Sequence, residues 1–146
     1  MMPSHWGMTP RQSVQAECER RGRDAVVTGC IGILNAEGAD DALLVALGGP
    51  AAEYVLAGGE GGPEGYWPRV WAARGLLHAW ADVATPAIIS AAADEAWRVR
   101  EMAAKVIAKH KVGDAIEAAA ALTDDPVARV RAAADRAVMV LSASGA

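Results

Sequence analysis

The apolar positions in the second half of the chain recur with two periods at once. Within a stretch they step by three and four residues, and the stretches themselves recur every 31 residues. Residues 94–110 read DEAWRVREMAAKVIAKH, and residues 125–141 read DPVARVRAAADRAVMVL; the two align without a gap. A more distant copy, PEGYWPRVWAARGLLHA, covers 63–79. The apolar stripe runs through Val99, Ala103 and Ile107 in the middle copy. In the last copy it runs through Val130, Ala134, Val138 and Leu141, and in the first through Pro68, Ala72, Leu76 and Trp80. Such spacing places each stripe on one face of an α-helix. The repeated Ala column lets a neighbouring helix come close. Asp94 and Asp125 are expected to cap these helices, with Pro126 in the first helical position. Shorter Ala-rich segments, Ala84–Ala93 and Gly113–Asp124, supply a second helix for each repeat. One such pair cannot bury its apolar face alone, so the pairs are expected to stack.

The first half has helices without the clear period. Thr9 and Pro10 open a helix that ends at Arg21, before Gly22. Asp24 opens a second, with Val27, Ile31 and Leu34 on its core side, and Gly29 and Gly32 allow another helix to approach. Ala39–Leu47 is a third helix, broken by Gly48-Gly49-Pro50. Pro50–Ala57 is a short fourth. The organisation expected from this is a tail at 1–8, a single domain at 9–141 and a tail at 142–146. Within the domain, 9–62 are degenerate capping helices and 63–141 are regular repeats. Gly58–Gly65, GGEGGPEG, is a connector. It lacks the Lys-Ser/Thr and the preceding strand of a phosphate-binding loop.

The pattern D-x-x-x-x-V-R-x-x-A with a period of 31 resembles HEAT repeats, in particular the short repeats of phycocyanobilin-lyase-like proteins. The resemblance covers 63–141. It implies an all-α fold, an α-α superhelix built as a short solenoid of stacked helix pairs. It also implies a ladder between adjacent repeats made by Asp94, Arg100, Asp125 and Arg131. Pro63 stands where the first copy would carry its Asp. HEAT arrays serve many roles, so the resemblance speaks to fold more than to function.

Composition agrees with helix throughout: the 146 residues include 34 Ala, 5 Trp, 2 Tyr and no Phe. Net charge is −4, and the imbalance is local: residues 1–62 hold 4 basic and 8 acidic side chains, while 63–146 hold 10 of each. This weighs against nonspecific nucleic-acid binding by the whole chain. Cys18 and Cys30 have neither metal-ligand nor disulfide-framework spacing and read as reduced, buried thiols. No run is long enough to span a membrane, and no signal-peptide core is visible, so a cytoplasmic protein is expected.

No catalytic constellation stands out. His5, His78 and His110 are dispersed, there is no metal-ligand pair and no nucleophile elbow, and the carboxylate pairs Asp40-Asp41, Asp94-Glu95 and Asp124-Asp125 sit at expected helix starts. The expectation is therefore a protein that is not an enzyme and needs no cofactor. The candidate chemistry is a surface. Trp67, Trp71 and Trp97 either fill gaps in the core or form an exposed aromatic hot spot. Arg74, Lys105 and Arg136 form one basic column, Arg98 and Arg129 a second, and His78 and Lys109 a third. Glu101 and Asp135 lie close enough in sequence to neutralise part of them. The resemblance places these columns on a concave face. The reading that follows is an interaction scaffold for an acidic protein partner. The alternative is a nucleic-acid-binding protein similar to alkylation-repair repeat proteins, in which Asp82 is the carboxylate to test. A third, an accessory to an enzyme such as a chromophore chaperone, rests on fold analogy.

Overall fold

A computed structural model describes residues 7–37, 40–56 and 65–144. The expected tail at 1–8 and the connector at 58–65 therefore fall mostly outside the described residues, as do residues 145–146. Every regular element among the described residues is helical. Nine α-helices are present among them: α1 Pro10–Arg21, α2 Arg23–Leu34, α3 Asp41–Gly48, α4 Pro50–Leu56, α5 Trp67–His78, α6 Thr85–Ala91, α7 Trp97–His110, α8 Ile116–Leu122 and α9 Ala128–Ser144. Single 3-10 turns, Asp82–Ala84 and Gly113–Ala115, lead into α6 and α8. No described helix is long and apolar enough to cross a membrane.

The chain divides into two compact units, Met1–Ala81 and Asp82–Ala146. In the second unit the repeat is plain. α6 packs on α7, α8 packs on α9, and α7 lies along α9. Val99, Ala103 and Ile107 are fully buried on α7, as are Val130 and Ala134 on α9, so the apolar stripes face inward as their spacing demands.

The first unit contains a similar arrangement that the 31-residue period does not reveal. α1 packs on α2, α3 on α5, α1 on α3 and α2 on α5. The helix starts Trp97 and Ala128 are 31 residues apart, whereas Arg23 and Trp67 are 44 apart, because α4 and the connector intervene. The front is therefore a pair of helix pairs with an insertion. Close approach is set by glycines. A Cβ on Gly29 would lie 2.2 Å from Leu43 Cδ2, and one on Gly75 would lie 2.6 Å from Leu47 Cδ2 and 3.1 Å from Cys30 Sγ. The core side of α2 is Val26, Val27, Cys30 and Ile33 rather than Val27, Ile31 and Leu34. Burial pushes the Cys30 thiol up to about 12, so it behaves as an apolar filler.

The start of α1 follows the sequence reading: Thr9 caps it, accepting from Gln12 N at 3.1 Å while Gln12 Oε1 accepts from Thr9 N at 3.0 Å. The starts of α7 and α9 do not. Asp94 and Asp125 lie three residues ahead of helices that begin at Trp97 and Ala128. Their carboxylates accept from Ala96 N at 2.8 Å and Val127 N at 2.9 Å, forming turns that precede the helix instead of capping it. Pro126 is likewise outside α9. At the other end α9 continues to Ser144, past the expected fray point at Leu141. Trp80 is off the α5 stripe, because α5 ends at His78 and Ala79 is extended.

Candidate binding surface

The ladder residues meet in the second unit. Arg100 Nε donates to Asp125 Oδ2 at 2.7 Å and Nη2 to Oδ1 at 3.2 Å, a two-pronged pair. Arg100 Nη1 also donates to the carbonyls of Asp94 and Glu95, at 2.9 and 3.0 Å. One repeat further on, Arg131 Nη1 donates to the Asp125 carbonyl at 2.8 Å. Each Arg thus ties down the turn ahead of its own helix, and Arg100 also grips the next repeat. The Arg100 guanidinium holds the Asp125 carboxyl below the usual carboxylate range, helped by the Val127 N–H.

A short distance along α7 is an aromatic and basic cluster. Trp97 is half-buried at the first turn of α7. The Arg98 guanidinium carbon lies 4.4 Å from the centroid of its ring and that of Arg129 lies 5.2 Å away, within cation–π range. Arg129 Nε donates to Glu101 Oε2 at 3.1 Å, and Lys105 Nζ is 3.7 Å from the same oxygen. Glu101 is buried, at 7% exposure, while the Arg129 side chain is 65% exposed. Among the described residues, Glu101 and not Asp135 is the carboxylate that meets these cations. Lys105 and Arg129 share the single Glu101 carboxylate, two cations to one anion, so this pair of cations keeps a net positive charge. Lys109 and Arg136 are exposed on the same unit.

The candidates of the first unit behave differently. Trp71 is 5% exposed; its ring occupies the space a Cβ on Gly48 would need, 2.7 Å from Cδ2 and Cε3. It is a core residue and not part of an exposed hot spot. Arg74 is also withdrawn from the expected basic column: its Nη2 donates to the Leu47 carbonyl at 2.8 Å. Trp67 is half-buried, its ring 5.1 Å from that of Tyr66, and His78 is half-buried at the end of α5. The structure therefore brings Trp97, Arg98, Lys105 and Arg129 together and takes Trp71 and Arg74 inward. Sequence spacing missed this because helical columns specify a face, whereas the neighbour opposite that face decides exposure.

The same structure reveals a polar network that the sequence reading passed over. Buried Glu17 accepts from Arg20 and Arg21, and Arg21 Nη1 reaches Asp40 Oδ2 at 2.9 Å. It links the end of α1 to the start of α3, where Asp40 Oδ1 accepts from Leu43 N at 2.6 Å. Arg21 lies seven residues or fewer from several acids, and sequence gives no means of choosing among them. No trio of His, Cys, Asp or Glu side chains among the described residues converges as a metal site.

Compared with known proteins, the chain matches no family profile, no curated protein and no solved structure.

Proposed function

We propose that this chain is a non-catalytic interaction module of HEAT-repeat type that engages an acidic protein segment through the second unit. The observation that carries this is the half-buried Trp97 ring flanked by Arg98 and Arg129, with Lys105 alongside and Glu101 as the shared carboxylate of Lys105 and Arg129. An indole with two guanidinium neighbours combines apolar contact area with fixed positive charge, the pairing enriched at binding hot spots. The positive excess steers an acidic partner to the site and orients it. Because Glu101 draws Lys105 and Arg129 toward one point, the cations are held in place before a partner arrives, which lowers the ordering cost of binding. The HEAT assignment is supported by the 31-residue period and by the Arg100–Asp125 link between successive pairs.

The test uses the full chain with fluorescent Glu-rich peptides and, in parallel, single- and double-stranded oligonucleotides, at low and physiological salt. The comparison protein carries Arg98→Glu and Arg129→Glu together. Salt-sensitive peptide binding that disappears in the double variant is the expected result. Failure of every acidic peptide at low salt contradicts the proposal. Oligonucleotide binding with a steep salt dependence, lost in the same variant, would replace it with the nucleic-acid reading.

A further inference from the structure

The basic side chains of the second unit extend beyond Trp97. On α7, Arg98, Lys105 and Lys109 are spaced so that, at about 100° per residue, all three fall within about 40° of one another. On α9, Arg129 and Arg136 hold the positions 31 residues on from Arg98 and Lys105. α7 lies along α9, and Lys105 and Arg129 converge on Glu101, so the two rows run side by side on one face. Lys105, Lys109, Arg129 and Arg136 are exposed, and Arg98 is half-buried. Little on this face offsets them. Glu101 is buried against Lys105 and Arg129, and Asp135 is turned about 100° away from Arg136 around α9. Lys109 and Arg136 have no ion-pair partner among the described residues.

The dimensions of the rows select a ligand. At 1.5 Å per residue, Arg98 to Lys109 covers about 16 Å and Arg129 to Arg136 about 10 Å. Packed helices lie about 8–10 Å apart, which sets the distance between the rows. A single carboxylate meets one end of such a surface. An extended chain advances about 3.3 Å per residue and sends successive side chains to opposite sides. About six residues therefore cover the length and reach the two rows in turn. A run of like charges repels itself and stays open in solution, so the composition that complements the rows also supplies the extended conformation.

We propose that the two rows bind a run of about six consecutive Asp or Glu residues, laid in extended form along α7 and α9. Its placement rests on the Trp97 cluster being a site for an acidic segment, and adds the length of that segment, its conformation and its outlying contacts at Lys109 and Arg136.

The test measures fluorescence anisotropy of the full chain with peptides carrying from two to eight consecutive glutamates between Gly-Ser flanks. Affinity is expected to climb with the number of glutamates and to level off near six. The comparison protein carries Lys109→Glu and Arg136→Glu, exposed positions that leave Trp97, Arg98 and Arg129 unchanged. It should bind the six-glutamate peptide about tenfold more weakly, the scale of two exposed ion pairs turned into repulsions, and should lose the gain with length. Affinity that levels off at two glutamates, or full binding by the double variant, overturns the proposal and leaves the Trp97 reading standing. Tighter binding of a helix-forming peptide with the same glutamates on one face overturns the extended conformation. If no acidic peptide binds at low salt, the Trp97 reading fails and this one with it. Tighter binding of single-stranded oligonucleotide, lost in the same double variant, replaces the acidic run with a phosphate backbone.

Discussion

Two tryptophans of similar sequence context have opposite duties. Trp71 is 5% exposed and seated on Gly48, whereas Trp97 is half-buried under two guanidinium groups. Trp71→Ala empties a large core volume and should cost roughly 3–5 kcal/mol. Trp97→Ala should cost less, roughly 1–3 kcal/mol, since its ring is only partly buried and its loss removes partial burial and cation–π contacts, yet should abolish peptide binding. Urea melts of the two variants check this; equal losses of stability would remove the distinction. Asp125 gives a pH signature. Its folded pKa is lowered, first by the hydrogen bond from Arg100. The associated stability is therefore full above the unfolded value of ~3.9 and is lost as pH falls through the lower folded value. The stability difference between wild type and Asp125→Asn should be constant from pH 7 to about 5 and shrink below about 4. A difference that stays level down to pH 2.5 would mean that the Arg100 pairing does not stabilise the fold.

At the scale of elements, the helices of the first unit are spaced by what their glycines omit. Gly48 ends α3, and a methyl there would meet the Trp71 ring at 2.7 Å and Ala52 Cβ at 2.8 Å. Helix propensity alone favours Ala over Gly by up to ~1 kcal/mol. The clash reverses the sign, because an indole buried on its other sides has nowhere to swing. Gly48→Ala should lower stability by about 1–3 kcal/mol, and a higher Tm would show that α3 and α5 have slack between them. In the second unit the same purpose is met by alanine. Ala103 and Ala134 are fully buried on α7 and α9, and these helices run close together. The Arg100–Asp125 pair then sets the register of successive turns, a geometric task that apolar packing alone leaves loose.

On the scale of the whole molecule, the chain holds two units, and the basic aromatic cluster belongs to the second. Local pattern was enough to establish an all-helical chain and the helix pairs of the second half, because helical periodicity, alanine content and repeat spacing are written along one dimension; the Arg–Asp ladder was implied only by the resemblance to HEAT repeats. The same pattern located the start of α1, since Thr9 and Pro10 act on the first turn of their own helix. It did not show that the front repeats the arrangement of the back, because α4 and the connector break the period without breaking the packing. Nor did it decide which aromatic and basic side chains reach the surface. Exposure belongs to pairs of elements: Trp71 is buried because Gly48 lies opposite, and Arg74 turns inward because the Leu47 carbonyl is there to accept it. Those encounters join residues more than twenty positions apart, and only the tertiary structure brings them together.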